Sequence, residues 1–423
     1  MRVVLVSTHI DQTTGYSKVS FNLVKQLATL SPKVKTFHFG FQRHPSHASL
    51  RKYPEGITSY DASANEEPRE EGFGFNKIHE YLEMVQPNVV MIYNDPYTVS
   101  RFIDSMKHER GKSSYTLWVY LDQVYCGVAP SLVDAVRNHA DRVYCFTDSW
   151  KKQFLEYGAF PQVNVLEHAV DPTVFSCLSE ETRHSVRTNI GVSKDATLFL
   201  NANRNSHRKR LDLTVGGFVR LLHRNPDKPY FLMIATNMNP QTGAFYDLQR
   251  IFLEELKLLK LDFQTYGRRL LLIDTSPPNL LSDEAVNQLY NVADVGVNTS
   301  DGEGYGLCQL EHMYTGAPQL VTDVGSYRTF LNSDVAEFIP SNGRSYFAGG
   351  MPHGFWCPTF SMESIADGME SILKQLPEKK KSVSSYQFKS WATVCDSWLE
   401  DVLTQAEGPV ASVSVPVMSS VPI

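Results

Sequence analysis

Short runs of valine, isoleucine and leucine alternate with amphipathic stretches along the chain, and this alternation predicts parallel strands buried between helices. The predicted strands of the first half are Val3–Ser7, Val34–Phe39, Val89–Tyr93, Thr116–Tyr120, Val143–Phe146 and Val163–Leu166. The second half restarts the pattern with Thr197–Asn201, Tyr230–Ala235, Leu270–Asp274, Val295–Thr299 and Gln319–Thr322. Predicted helices lie between the strands, among them Tyr16–Leu30, Asn76–Val85, Ser149–Tyr157, Leu211–Arg224, Ala244–Lys260, Asp283–Asn291 and Leu307–Thr315. We therefore expect an α/β protein made of two successive doubly wound units.

A predicted link near residues 178–193 separates the two units, which gives predicted domain boundaries of 1–185 and 186–385. Residues 44–73 are rich in proline, serine, aspartate and glutamate, so we expect an exposed, mobile loop there. Residues 408–423 are biased towards proline, serine and valine, and this composition predicts a flexible tail.

Composition narrows the class of protein. The 423 residues are 42% hydrophobic, which is typical of globular domains, and the net charge of −6 argues against a general nucleic-acid surface. Six scattered cysteines without a CxxC pair favour buried thiols in a reducing cytoplasm. No apolar run approaches the ~20 residues of a membrane span, and the start MRVVLVSTHIDQ turns polar early, as a buried strand does and a signal peptide does not.

A glycine-rich segment, DGEGYGLCQLEHMYTGAP at residues 301–318, holds the strongest candidate for chemistry. Glu303 and Glu311 lie eight positions apart across a turn that leads into the predicted helix Leu307–Thr315. A loop of this kind can place a carboxylate and free backbone N–H groups around one polar ligand. The spacing alone also occurs by chance, and a glutamate near a helix start can simply favour the helix dipole.

A basic run, NANRNSHRKR at residues 201–210, follows one predicted strand and precedes a helix. Cations at such a strand end could neutralise a pyrophosphate that becomes a leaving group. A nucleic-acid patch and a solvated basic turn are the alternatives, and the absence of interleaved aromatic residues favours phosphate binding.

Three further residues lie near predicted strand ends. Gly15 begins a helix, so backbone N–H groups there could approach a phosphate, although single glycine turns are common. Asp122 could bind a sugar hydroxyl or an acceptor, and equally could cap a turn or helix. His168 is a candidate of the same kind, although a lone histidine is more often a packing residue.

Several signatures are absent from the sequence. It contains no Asp-x-Asp, no HExxH and no paired His/Cys spacing, so we expect no metal cofactor and expect basic side chains to neutralise charge instead. It also lacks the GxGxxG fingerprint of nicotinamide-dependent oxidoreductases, the GxSxG elbow and the P-loop.

Taken together, these residues resemble the retaining glycosyltransferases of family 4, which have the two-domain GT-B fold. The most specific stretches are Leu289–Val295 and Ser300–Pro318, which are similar to the family signature containing two glutamates, here Glu303 and Glu311. Arg204 and Lys209 match, with the expected spacing, the family's arginine and lysine that contact donor phosphates. The resemblance covers the chain to about residue 405. It implies two Rossmann-like domains facing across a cleft, with an acceptor-side domain at 1–185 and a nucleotide-sugar-binding domain at 186–385. It also implies a late helix near 386–407 that returns to the first domain.

The family's residue roles carry over as expectations. Glu311 would hold the donor ribose, and Glu303 with the backbone of Gly304, Tyr305, Gly306 and Leu307 would orient the transferred sugar. Arg204 and Lys209 would stabilise the departing diphosphate, with Gly15 and Asn203 as further donor contacts. Asp122 is expected among the catalytic residues and His168 is an open assignment near the acceptor. Two positions depart from the family: Leu121 precedes Asp122 where many members have histidine, and Gly15 stands alone where many have a glycine pair.

The segments Met91–Pro96, Asn203–Asp212 and Asp301–Cys308 resemble in particular the family members encoded by large algal DNA viruses. That resemblance favours mannose from GDP-mannose as the transferred hexose, and it implies the host cytoplasm as the location. The family resemblance implies retention at the anomeric carbon. Because no carboxylate is clearly placed as a covalent nucleophile, we expect a front-face mechanism. Open alternatives are a UDP-sugar-dependent transferase, a nucleotide-sugar epimerase of the same fold and a non-catalytic binder. The acceptor is expected to be a glycan or a lipid-linked sugar, while peripheral membrane contact and a homodimer remain open.

Overall fold

The computed structural model describes residues 1–64, 70–347 and 355–407. The first sheet has seven parallel strands in the order β3-β2-β1-β4-β5-β6-β7. Its strands are β1 (Arg2–Thr8), β2 (Lys35–Phe41), β3 (Ile57–Asp61), β4 (Val89–Asn94), β5 (Thr116–Leu121), β6 (Arg142–Cys145) and β7 (Val163–Val165). Every residue of β4 and all but the first of β1 are buried, as the apolar runs predict.

Six helices accompany this sheet and the segment that follows it. They are α1 (Gly15–Ala28), α2 (Ile78–Val85), α3 (Pro96–Met106), α4 (Pro130–His139), α5 (Asp148–Leu155) and α6 (Glu180–Asn189). Helix α1 begins where the side chain of Thr14 accepts a hydrogen bond from the Ser17 N–H, and its buried face includes Val19, Leu23 and Leu27. With this face buried, the first turn of α1 lies next to the second half of the chain.

The second sheet has six parallel strands in the order β10-β9-β8-β11-β12-β13. They are β8 (Thr197–Asn201), β9 (Tyr230–Thr236), β10 (Leu270–Asp274), β11 (Val295–Asn298), β12 (Gln319–Thr322) and β13 (Ala336–Ile339). An antiparallel hairpin follows, formed by β14 (Gly343–Phe347) and β15 (Phe355–Thr359). The helices of this half are α7 (Leu211–Arg224), α8 (Leu248–Leu258), α9 (Phe263–Tyr266), α10 (Asp283–Val292), α11 (Leu307–Tyr314), α12 (Tyr327–Phe330), α13 (Met362–Lys374) and α14 (Leu376–Ser384).

The last helix, α15 (Trp391–Glu407), returns to the first domain. Asp401 accepts a hydrogen bond of 2.7 Å from the Tyr144 hydroxyl and pairs with Arg142, and both partners belong to β6. The Trp391 ring lies 5.8 Å from that of His168. Two doubly wound, Rossmann-like domains with a returning C-terminal helix are therefore confirmed, whereas the residue numbers of the domain boundaries remain predictions.

Two stretches differ from the sequence expectation. The segment 44–73 was expected to be a loop, but it contains a short helical turn at Pro45–His47 and the edge strand β3, which pairs with β2. The expected link at 178–193 contains α6, whose Arg187 is buried and donates to the backbone carbonyl of Val292. The predicted tail, 408–423, lies outside the described residues. Within the described ranges, no helix is both long and apolar enough to span a membrane.

Candidate active site

The glycine-rich loop after β11 is buried, and its glycines have no room for side chains. Gly306 has a φ of +99°, and an added Cβ would lie 2.5 Å from the Tyr327 ring. A Cβ on Gly304 would lie 2.1 Å from a carboxylate oxygen of Asp122. Helix α11 starts directly after Gly306, whose carbonyl accepts from the N–H groups of Gln309 and Leu310. The N–H groups of Leu307 and Cys308 are left without an acceptor among the described residues. The loop therefore brings bare backbone donors to the carboxyl end of the parallel sheet.

The Glu303 side chain is the centre of a buried charge cluster. Lys209 donates to one of its carboxylate oxygens, and the Arg208 guanidinium lies 3.4 Å from the same oxygen. Ser300 and Asn298 donate to that oxygen as well, at 3.3 and 3.4 Å. Burial alone would raise the pKa of Glu303, but Lys209 and Arg208 lower it to about 2. Glu303 is thus held as an anion.

Arg204 lies in the same cluster but has no fixed partner. Its side chain is exposed, and within the described part of the chain its guanidinium makes no hydrogen bond or ion pair. Partial removal from water and the neighbouring Arg208 lower the pKa of Arg204, whereas Glu303 and Asp122 raise it. Because Arg204 is unpaired and lies near a second cation, an anionic ligand would bind there without breaking an existing ion pair of Arg204.

Asn203, a predicted donor contact, is buried and acts within this network. Its amide donates to Asn201 at 2.8 Å, and its side-chain oxygen accepts from Asn298 at 3.2 Å. Because Asn298 also donates to Glu303, Asn203 helps to position the Glu303 side chain through Asn298.

Glu311 lies on α11 and is paired with a residue of the first domain. The Lys18 ammonium donates to both of its carboxylate oxygens, at 2.8 and 2.9 Å, and the Tyr290 hydroxyl donates at 3.3 Å. Burial works against the charge of Lys18, but Glu311 and Asp283 raise its pKa. Arg51 adds a second contact between the domains, since it donates to both oxygens of Asp283 at 3.1 and 3.0 Å.

Asp122 faces the glycine-rich loop from the first domain. The Tyr16 hydroxyl donates to it at 2.6 Å. Burial raises the pKa of Asp122 to about 6, although Tyr16 and Arg208 act in the opposite direction. A carboxylate that titrates near neutral pH beside a cleft is a candidate proton acceptor.

Two other side chains of the first domain and one backbone carbonyl hold the loop 301–306. The Trp150 indole N–H donates to the Gly304 carbonyl at 2.8 Å, and the Tyr125 hydroxyl donates to Asp301 at 2.7 Å. In return, the Tyr305 hydroxyl donates to the backbone carbonyl of His168 at 2.9 Å. Sequence analysis did not single out Tyr125 or Trp150, nor did it find Lys18, Arg51 or Tyr16.

The remaining candidates have less direct placements. The His168 ring is buried between Phe146 and Tyr305, at 4.3 and 4.7 Å between ring centroids, and burial lowers its pKa to about 3. Its ring nitrogens have no hydrogen-bond partner among the described residues, so the imidazole is neutral and packed. Gly15 is exposed at the first position of α1, and an added Cβ would meet no atom within 4 Å. Among the residues described, no cluster of three His, Cys, Asp or Glu could hold a metal.

Residues 278–389, which include α10, β11, the glycine-rich loop and α11, match the model of the family described as glycosyl transferases group 1. A glycosyltransferase of Methanocaldococcus jannaschii is 23% identical over 239 residues, which are 55% of this chain and 52% of that protein. The mannosylfructose-phosphate synthase of Agrobacterium fabrum is 26% identical over 162 residues, covering 38% and 32% of the two chains. The chain thus spans about half, or less, of these relatives.

Solved structures match over nearly the whole chain. The sucrose-phosphate synthase of Thermosynechococcus elongatus covers 96% of this chain and 100% of its own, with 15% identity and a TM-score of 0.68. HepE of Anabaena, in complex with UDP and glucose, gives the same coverage with 10% identity and a TM-score of 0.64. The fold is GT-B. With the family match over 278–389, this fold supports the glycosyltransferase resemblance drawn from the sequence.

Proposed function

We propose that the protein is a retaining glycosyltransferase that moves a hexose from a nucleotide diphosphate sugar to an acceptor hydroxyl. The observation that carries this proposal is the pairing of Glu303 with Lys209 and Arg208 beside the unpaired Arg204. That arrangement provides one buried anion to orient a sugar and one free cation for a diphosphate. The helix N-terminus that follows Gly306 adds backbone donors to the same place.

The donor would span the carboxyl ends of the second sheet. Glu311 would accept hydrogen bonds from the ribose hydroxyls in place of those from the Lys18 ammonium, which now donates to both of its carboxylate oxygens. Arg204 and Lys209 would stabilise the negative charge on the diphosphate as the sugar leaves. Basic side chains therefore take the role that a divalent cation has in other transferases, and we expect activity to persist in the presence of a chelator.

The proposed mechanism is a front-face substitution at the anomeric carbon. The bond between that carbon and the phosphate oxygen breaks, the acceptor oxygen forms the new bond on the same face, and the acceptor proton passes to a donor phosphate oxygen. Lys209, Arg208, Ser300 and Asn298 all contact one oxygen of Glu303, which fixes the position of this carboxylate beside the sugar. Asp122 would accept a hydrogen bond from the acceptor or from the transferred sugar.

The proposed donor is GDP-mannose. Support comes from the resemblance of Asn203–Asp212 and Asp301–Cys308 to the enzymes of large algal DNA viruses, and from a relative that is named a mannosylfructose-phosphate synthase. The UDP and glucose bound in the HepE structure favour UDP-glucose as the alternative donor.

Calorimetric titration with GDP-mannose, UDP-glucose and an ADP-sugar tests the donor assignment. We expect GDP-mannose to bind, and Glu311→Gln to weaken binding at least tenfold by loss of a charged acceptor. Glu363→Gln is the matched control, because Glu363 is an exposed carboxylate on α13 that pairs with Arg220 and Arg224. Binding of none of these compounds would refute the proposal.

Product analysis by NMR tests the reaction. Transfer releases a free nucleoside diphosphate, and retention gives a product whose anomeric configuration equals that of the donor. A new sugar nucleotide without release of the diphosphate would instead identify an epimerase.

A further inference from the structure

The hairpin β14–β15 exposes two aromatic side chains beside the candidate site. Tyr346 and Trp356 face each other across the two strands, with ring centroids 5.4 Å apart. They are 58% and 51% exposed, and the Arg344 guanidinium lies 4.5 Å from the Trp356 ring. Large rings of this kind usually bury most of their area, so their exposure here needs an explanation.

The opposite face of the hairpin is attached to both domains. Phe355 stacks on Tyr125 at 4.1 Å between centroids, and the Tyr125 hydroxyl donates to Asp301 at the start of the glycine-rich loop. Tyr125 belongs to the loop between β5 and α4 that also carries Asp122. The loop that carries Asp122 therefore also contacts the hairpin on which the exposed aromatic pair lies.

A cavity of about 410 Å³ lies between the hairpin and the basic loop before α7. Its walls include the rings of Phe245 and Tyr346, and its polar groups include His207, Asp212, Asp301 and Ser345. This volume falls within the range of small-molecule sites, which commonly combine aromatic walls with a few polar groups.

The charges of the cavity identify its ligand class. Arg210, which also lines the cavity, donates through one edge of its guanidinium to both carboxylate oxygens of Asp212, at 3.0 and 2.8 Å. Burial raises the pKa of Asp301, the other acidic group of the lining. A bound phosphate would lie beside Arg210, which is already paired with Asp212, and near the second carboxyl group, that of Asp301. A neutral sugar fits better, because its C–H faces pack on rings and its hydroxyls bond to carboxylates, serine and histidine.

We propose that the hairpin and this cavity form a saccharide-binding subsite for a neutral oligosaccharide acceptor. This inference rests on the proposed function, since it assigns the part of the acceptor that lies beyond the reacting sugar. The reacting hydroxyl would lie near Asp122, and the following sugar units would stack on Tyr346 and Trp356. The acceptor class is then a glycan of two or more units, in preference to a single small molecule.

Direct binding of α-1,6-mannotriose, maltotriose, cellotriose and chitotriose, measured by saturation-transfer NMR and calorimetry, tests this subsite. We expect at least one trisaccharide to bind the full-length protein, and Trp356→Ala and Tyr346→Ala each to weaken that binding about tenfold. Phe263→Ala is the matched control, because Phe263 is a 53% exposed ring on α9 that does not line this cavity. Circular dichroism and donor titration on each variant verify the fold.

The inference is overturned if none of the four trisaccharides binds, or if the Tyr346→Ala/Trp356→Ala double variant keeps the wild-type affinity. An equal loss of binding in Phe263→Ala would overturn it as well. Failure of the proposed function has a different signature. In that case the wild-type protein binds none of the sugar nucleotides, whatever its affinity for the trisaccharides.

Discussion

Replacing Arg204 with alanine is the most direct test of how the protein would stabilise a leaving diphosphate. Lys209 and Arg208 already share the charge of Glu303, whereas the Arg204 guanidinium has no partner in the described part of the chain. Its charge is therefore available to the donor without breaking an existing ion pair. The truncation removes this charge and leaves the buried cluster intact.

The size of the effect follows from electrostatics. Two unit charges 4 Å apart interact by about 4 kcal/mol at an effective dielectric constant of 20. Removal of a preorganised group that stabilises charge in a transition state commonly costs about 2–4 kcal/mol. Because each 1.36 kcal/mol is a factor of ten, kcat should fall about 30- to 900-fold. The free energy of unfolding should change by only about 0.5 kcal/mol, as is usual for an exposed side chain without partners.

The assay is release of GDP from GDP-mannose under saturating donor, with urea unfolding measured on the same preparation. Arg208→Ala provides the contrast, because Arg208 donates to the Gly302 carbonyl at 2.5 Å and pairs with Glu303. That variant should lose both activity and stability. An Arg204→Ala protein with unchanged kcat would refute the role assigned to this cation.

Three other substitutions probe the site. Lys18→Met leaves the buried Glu311 carboxylate without its cation, so the free energy of unfolding at pH 8 should fall by about 2–4 kcal/mol. The loss should shrink at pH 5, because burial raises the pKa of Glu311 and protonation then relieves the unpaired charge; equal losses at both pH values would contradict this reasoning. Burial raises the pKa of Asp122 to about 6, and the proposed role uses its anion. We therefore expect kcat/KM to rise as the pH passes through about 6, and Asp122→Asn to abolish this rise. In Gly306→Ala the alanine must keep a φ of +99°, and its Cβ would approach the Tyr327 ring. Thermal unfolding should therefore show a loss of stability of about 1–3 kcal/mol. Gly15→Ala, whose Cβ would meet no atom within 4 Å, should be nearly neutral.

The buried strands could be predicted because parallel strands covered on both faces are continuous apolar runs. Strand β4, Val89–Asn94, is of this kind, and every one of its residues is buried. Strand β3, Ile57–Asp61, reads Ile-Thr-Ser-Tyr-Asp and has no buried residue, because it lies at the edge of the first sheet. Nothing in its composition separates it from the polar loop around it. Helix α6 was missed for a similar reason, since Arg187 is its only buried residue.

Arg204, Lys209, Glu303 and Glu311 could be singled out as candidates because each lies within a short segment that joins a strand to a helix, and their roles stay predictions. Lys18 could not be found in this way. It pairs with Glu311 across 293 positions of the sequence, and a single lysine near a helix start carries no signal of its own. Tyr16 and Tyr125 were missed for the same reason, since their partners Asp122 and Asp301 are 106 and 176 positions away.

The contacts between the two domains around the site combine aromatic packing with charged pairs, and the charged pairs bear on how a donor could enter. Lys18 pairs with Glu311, and Arg51 pairs with Asp283; in each pair one side chain is partly exposed and the other is buried. Water can solvate these charged groups when the domains part, which offsets part of the cost of breaking the two pairs. Glu311 takes part in one of these pairs and is also the proposed ribose ligand. A donor that binds there competes with Lys18 for the same oxygens, so binding of the nucleotide and the contact between the domains are thermodynamically linked. The same linkage favours release of the product, because Lys18 regains Glu311 as the nucleoside diphosphate leaves.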